Sequence, residues 1–115
     1  MRPFFLAAVL TLVTAPAFGQ DLATGAQIES AISGNTVQGN MLDAGAYTEF
    51  YAEDGTIKGD GYTGKWTVEG DAMCFDYGEG ASCWGVRLSG DQVTWIKDGA
   101  EDGTGTLIDG NPNNF

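Results

Sequence analysis

Short runs of alternating apolar and polar residues recur about every ten positions along most of the chain. Each run is rich in Val, Thr, Tyr, Trp or Ile and ends near a glycine with Asp or Asn beside it. This alternation is typical of strands that bury one face. The predicted strands are residues 36–41, 47–52, 56–59, 62–69, 72–77, 82–88, 92–97 and 104–108. The pattern predicts an antiparallel up-and-down meander of about eight short strands, folded as a curled sheet or a small lipocalin-like barrel.

One short helix is predicted before the first strand. Thr24 suits the N-cap position, and Gly34 is a typical stop residue. Ile28 and Ile32 lie four apart and would share one face of a helix. We therefore expect a helix at residues 25–33 and a fold that is otherwise all-β.

The first residues have the features of a secretory signal. Arg2 supplies a positive charge, and residues 4–13 form an apolar run that is too short to span a bilayer. Small residues follow where a signal peptidase would cut, after Gly19 or alternatively after Ala17. The expected organisation is a signal peptide at 1–19 and a single β-rich domain at 20–115.

The two cysteines predict one disulfide bond, because an exported chain meets an oxidising compartment. Cys74 and Cys83 would close a short loop, which the chain-entropy model values at about 2.5 kcal/mol. If they face each other across a hairpin, Met73 lies opposite Trp84. The same register pairs Phe75 with Ser82, Ala72 with Gly85 and Asp71 with Val86.

This register assigns the two faces of the hairpin, since side chains alternate along a strand. The expected interior positions are Met73, Phe75, Tyr77, Trp84, Val86 and Leu88, joined from neighbouring strands by Trp66, Val68, Val93 and Trp95. The expected outer positions are Cys74, Cys83, Asp76 and Arg87. Trp66 and Trp84 are thus predicted to be structural, whereas the acidic turns are not.

From residue 51 onward the chain contains several stretches that combine turn and core residues. They are residues 51–56, 64–71, 74–77, 83–84, 103–107 and 110–112. Together they resemble a group of small exported proteins of Gram-negative bacteria that have no assigned function. The resemblance implies a β-rich, disulfide-bearing exported domain, and it carries no catalytic residue over to this chain.

The charge and the missing histidine exclude whole classes of function. The chain has 16 acidic residues, 5 basic residues and no histidine, for a formal charge of −11. Without Arg2, the four remaining basic residues leave the domain at −12. The absence of an imidazole excludes Ser-His-Asp and Cys-His nucleophiles and nearly all catalytic zinc sites. The negative charge disfavours nucleic acid and anionic membranes as partners. No cofactor is expected, nor any membrane insertion after signal cleavage.

One predicted strand carries a candidate recognition surface. Tyr47, Glu49 and Tyr51 share one face of this strand and alternate with Thr48 and Phe50. An outward-facing set of this kind would suit partner recognition. Ordinary cross-strand packing is the alternative.

Acidic turns are candidate calcium sites. Glu53 and Asp54 with Asp60, and the segment 98–103, group the oxygen ligands that calcium prefers. Neither group has the spacing of an EF-hand, and hairpin turns commonly carry Asp and Gly. We therefore assign no metal site, and we expect residues 109–115 to form a loose tail.

The sequence favours an exported, periplasmic or secreted, non-catalytic β-domain. Its expected partner is a basic protein or a small ligand bound in the mouth of the barrel. The alternative is a carboxylate-based or calcium-dependent enzyme that acts on cell-envelope carbohydrate.

Overall fold

In the computed structural model, which describes residues 21–115, eight antiparallel strands close into a barrel. The elements are α1 (Gly25–Ile32), β1 (Asn35–Met41), β2 (Gly45–Tyr51), β3 (Thr56–Gly59), β4 (Tyr62–Glu69), β5 (Ala72–Asp76), β6 (Ala81–Ser89), β7 (Gln92–Lys97) and β8 (Ala100–Asp109). Each strand pairs with the next, and β8 pairs with β1 from Asn35–Asp109 to Met41–Gly103. The predicted up-and-down meander is confirmed, and it is a closed barrel rather than a curled sheet.

The helix α1 closes one end of the barrel. Thr24 caps it as predicted, since its hydroxyl accepts a hydrogen bond from the Gln27 backbone N–H and the Gln27 side chain bonds back to the Thr24 N–H. The helix packs against β1, β4 and β5, which belong to opposite walls of the barrel. Ile28 and Ile32 are fully buried by this packing. The helical face predicted from their spacing therefore covers the barrel interior.

The predicted disulfide bond and hairpin register are confirmed. Cys74 and Cys83 are bridged, and Met73 lies opposite Trp84 in the β5–β6 ladder. The ladder runs from this pair to Asp76 opposite Ala81 and includes Phe75 opposite Ser82. One bridge thus fixes the alignment of both strands, as expected from the alternation of side chains.

The pairing of β5 with β6 ends earlier than expected. The ladder between β5 and β6 stops at Met73 and Trp84, so Ala72 is not paired with Gly85. Farther along β6, the Val86 carbonyl accepts a hydrogen bond from the Ala23 N–H at 2.7 Å. Asp71 lies outside β5 and accepts from the helix residue Gly25 instead, at 2.7 Å. The segment that leads into the helix therefore bonds to the part of β6 that extends beyond β5.

The barrel half next to α1 is tightly packed. Its buried apolar side chains are Val37, Ile57, Trp66, Met73, Val86 and Val93. The predicted interior positions Phe75 and Trp95 are buried as well. Trp84 and Leu88 are only partly buried, and Tyr77 is 50% exposed. The interior assignment is therefore confirmed in direction, and Trp84 and Tyr77, which are less buried, lie toward the end opposite the helix.

The strand boundaries follow the predicted ranges to within a residue or two except for β8. This strand begins at Ala100 rather than at residue 104, because Asp98 and Gly99 already complete the turn in the left-handed region, with φ of 53° and 81°. The segment 98–103 is thus a tight turn followed by strand rather than a ligand loop.

The C-terminal tail is not loose, contrary to expectation. The Gly110 carbonyl accepts a hydrogen bond from the Thr36 hydroxyl at 2.6 Å, and the Gly110 N–H donates to the Asn35 side chain at 3.0 Å. Asn111 and Phe115 exchange two further hydrogen bonds. The first two bonds hold Gly110 against the start of β1, and the other two close residues 111–115 on themselves.

The expected signal peptide at 1–19 lies outside the described residues. Among residues 21–115, no helix has the length and apolar character needed to cross a bilayer.

Candidate functional site

The barrel end opposite α1 holds a cavity of about 500 Å³. The turn between β1 and β2 contributes Asp43 and Ala44 to its wall. The aromatic lining residues are Tyr47, Tyr51, Tyr62, Phe75, Tyr77, Trp84 and Trp95, and the others are Met41, Ala46, Glu49 and Asp102. All four tyrosines of the chain thus line a single cavity. Its volume is in the range of cavities that take small ligands.

A buried carboxylate lies in the cavity wall and is held by three tyrosines. Glu49 is only 6% exposed. One of its oxygens accepts hydrogen bonds from the hydroxyls of Tyr51 at 2.6 Å and Tyr77 at 3.0 Å. The other accepts from Tyr62 at 2.6 Å and again from Tyr77 at 3.0 Å. These donors compensate the carboxylate for the water that it loses on burial.

The environment of Glu49 keeps the tyrosines protonated. Burial raises the pKa of Tyr77 and places that of Tyr51 well above its usual range. The negative charge of Glu49 is the second cause and acts in the same direction. Burial and the hydrogen bond to Glu49 raise the pKa of Tyr62 in the same way. The three phenols therefore remain neutral hydrogen-bond donors at physiological pH.

The two tryptophans of the cavity are oriented by their indole N–H groups. Trp95 donates to the Tyr47 hydroxyl at 2.8 Å, and this hydroxyl in turn donates to the Thr104 carbonyl at 2.9 Å. Trp84 donates to the Asp102 carboxylate at 2.9 Å. Each large ring is thereby fixed at its polar end, while its apolar surface borders the cavity.

A β-bulge brings Asp102 to the cavity. Trp95 of β7 lies opposite Gly103, whereas the next residue, Ile96, lies opposite Glu101. Asp102 is the extra residue between these pairs. A bulge changes the direction of the side chain that it carries, and here the carboxylate meets the Trp84 indole. Asp102 thus belongs to the cavity wall and not to an exposed acidic turn.

Interior glycines make room for the tyrosines at the mouth. A Cβ atom at Gly59 would overlap the Tyr62 ring, and a Cβ atom at Gly64 would overlap the Tyr77 ring. Both rings can therefore lie directly against the backbone of β3 and β4, with their hydroxyls on Glu49. The contact between Tyr62 and Tyr77 is edge-to-face at a centroid distance of 6.2 Å.

The candidate recognition residues are together, but they face inward. Glu49 and Tyr51, which is 1% exposed, point into the barrel, and Tyr47 lines the same cavity. The expectation of an outward face is corrected, because β1 and β3 pair with β2 in the register that buries this face against Val37 and Ile57. The cavity wall is therefore the surface on which these three residues can act.

Sequence reasoning missed Tyr62 and Asp102 as site residues. Side chains an even number of positions apart in a strand face the same side. Tyr62 lies four positions before the interior residue Trp66 in β4, so the sequence does indicate that Tyr62 faces inward. No comparable signal exists for Asp102, because a bulge interrupts the alternation.

The acidic turns form hydrogen bonds within the hairpins. No group of three or more Cys, Asp or Glu residues between 21 and 115 is arranged to hold a metal ion. Asp54 instead accepts a hydrogen bond from the Thr56 N–H at 2.9 Å, and hydrogen bonding with Thr56 lowers the pKa of its carboxyl group. This contact is the ordinary role of Asp in a hairpin turn.

The cavity is thus a deep aromatic mouth with a buried carboxylate in its wall, at the end of the barrel that the helix leaves open. Comparison with known protein families, with curated proteins and with solved structures finds no match for this chain.

Proposed function

We propose that the protein is an exported binding domain that takes a small ligand into the open end of its barrel. The observation that carries this proposal is the aromatic cavity of about 500 Å³. Pockets of this size, lined mainly by apolar side chains with a few fixed polar groups, are typical of small-molecule sites. The concave shape favours a small ligand over a basic protein partner, which would need a broad outer surface.

The polar groups of the cavity support binding rather than hydrolysis. Both oxygens of Glu49 accept hydrogen bonds from phenols, and Asp102 accepts one from an indole. A general acid or a nucleophile needs a carboxylate that can reach the substrate. Glu49 and Asp102 are thus held by aromatic residues of the wall, so they are suited to fixing that wall and setting its charge.

The three indole N–H groups provide a direct test in ¹H–¹⁵N NMR spectra of the purified protein. Trp84 and Trp95 line the cavity, whereas Trp66 lies outside it and donates to the Ala52 carbonyl at 2.9 Å. We expect titration with 2-phenylethylammonium, 2-phenylethanol or 3-phenylpropanoate to shift the signals of Trp84 and Trp95 with at least one of these probes. The Trp66 signal should remain in place.

A variant that fills the mouth is the matched control. Ala44→Trp places a large ring at the cavity entrance, while Ala26→Trp places one on the exposed side of α1 at the other end. Binding should be lost in the first variant and retained in the second. Equal shifts at all three indoles, or none with any probe, would overturn the proposal.

Export is the second part of the proposal and has its own measurement. It is supported by the disulfide bond, which is typical of oxidising compartments. The mass of the protein recovered from the periplasm or the medium should correspond to a chain that begins at Gln20, or at Phe18 with the alternative cut. Recovery of a chain that still contains Met1 to Gly19 would contradict export through this signal.

A further inference from the structure

We infer that the ligand is a cation, and that the cavity is built to take a small organic ammonium ion joined to an apolar group. This inference rests on the proposed function, since it names the class of ligand for the same cavity. It is carried by the charges of the wall and by the aromatic faces beside them.

The charges of the wall are negative and unbalanced. The lining contains the carboxylates of Asp43, Glu49 and Asp102, and within residues 21–115 no lysine or arginine lines it. The hydrogen bonds to Glu49 come from neutral phenols. Such bonds solvate a carboxylate but leave its charge, and a charge buried from water attracts a counter-charge strongly. A bound ammonium ion would supply that counter-charge.

The rings above Glu49 are suited to a cation as well. Tyr62 of β4 and Tyr77, which follows β5, line the mouth, and Trp84 and Trp95 line it from the neighbouring strands β6 and β7. Aromatic rings arranged around a site are a known means of binding organic ammonium ions. Phe75 and Met41 offer apolar surface for the hydrocarbon part of the ligand.

The protein already holds one ammonium group on this aromatic wall. The Lys97 Nζ lies 4.5 Å from the centroid of the Trp84 ring and donates a hydrogen bond to the Cys83 carbonyl at 2.9 Å. This lysine lies at the edge of the barrel and is not part of the cavity lining. Its position shows that the Trp84 ring accepts a cation where Lys97 covers it. The formal charge of −11 would also draw a cation toward the protein and repel an anion.

The test compares three probes of similar shape and different charge. The probes are 2-phenylethylammonium, 2-phenylethanol and 3-phenylpropanoate, each titrated into the purified protein while the indole signals of Trp84 and Trp95 are followed. We expect the Kd of the ammonium to be at least about tenfold lower than that of the alcohol, with the carboxylate weakest. If the alcohol or the carboxylate binds as tightly, the inference fails and the proposed function stands. If none binds, both fail.

A pair of variants separates the cavity charge from the charge of the whole protein. Glu49→Gln keeps the shape of the side chain and removes its charge, and Glu29→Gln makes the same change on the exposed face of α1. The first should weaken the ammonium about tenfold and leave the alcohol nearly unchanged, while the second should change neither. Equal losses in both variants would contradict a charge effect of the cavity. Should circular dichroism show that Glu49→Gln is unfolded, Asp102→Asn replaces it with the same expected direction.

Discussion

Raising the pH above about 10 is expected to unfold the barrel together with the ionisation of its tyrosines. Burial and the charge of Glu49 raise the pKa values of Tyr51, Tyr62 and Tyr77 in the folded state. The unfolded chain ionises its phenols near pH 10 and the folded chain does not, so the unfolded state binds fewer protons above that pH. The stabilisation is therefore complete below pH 10 and is lost as the pH rises.

The size of this effect follows from the buried phenol. Tyr51 is 1% exposed. A phenol that stays protonated only in the folded state lowers the free energy of unfolding by about 1.4 kcal/mol for each pH unit above 10. Tyr62 and Tyr77 are 42% and 50% exposed, so solvent reduces their contributions. Against a typical stability of about 5 to 15 kcal/mol, one or two pH units are a large loss.

The measurement is an alkaline titration that records tyrosinate absorbance and near-ultraviolet circular dichroism on one sample. Both signals should change together, at a pH above the ordinary tyrosine range. The same titration in concentrated urea is the control, and there the absorbance should rise near pH 10. Tyrosinate that appears near pH 10 while the circular dichroism remains native would show that the phenols are not held by Glu49.

The fold could be predicted because its determinants are local. Alternation and glycine turns mark the strands, and the single disulfide fixes the register of β5 against β6 through Cys74 and Cys83. Contacts between segments that are far apart in the sequence could not be predicted in this way. Nothing near Val86 in the sequence indicates that its carbonyl is bonded by Ala23, which lies far away along the chain.

The site was only partly predictable for the same reason. The grouping of Tyr47, Glu49 and Tyr51 follows from alternation alone, but the direction of that face depends on which strands pair with β2. Phe50, on the other face, is also aromatic, so hydrophobicity does not separate the two sides of β2. A buried glutamate is the exception to the usual pattern, since its burial depends on donors that come from distant strands.

Replacement of Trp66 by Ala is expected to lower the free energy of unfolding by about 3 to 5 kcal/mol, the usual cost of removing a large aromatic side chain from a core. Trp66 is 4% exposed and packs edge-to-face on Tyr51 at a centroid distance of 6.2 Å. Its indole N–H also donates to the Ala52 carbonyl at 2.9 Å, which would lose this donor. The variant loses both a packed ring and a hydrogen bond.

Trp84→Ala is the matched comparison, because the two tryptophans looked equivalent in sequence. Trp84 is only partly buried and borders the cavity, so its removal enlarges an existing space that is open to solvent. Urea unfolding should therefore show a clearly smaller loss for Trp84→Ala than for Trp66→Ala, while ligand titration should show the reverse order. An equal loss of stability in the two variants would mean that the cavity half of the barrel is packed as tightly as the half that α1 covers.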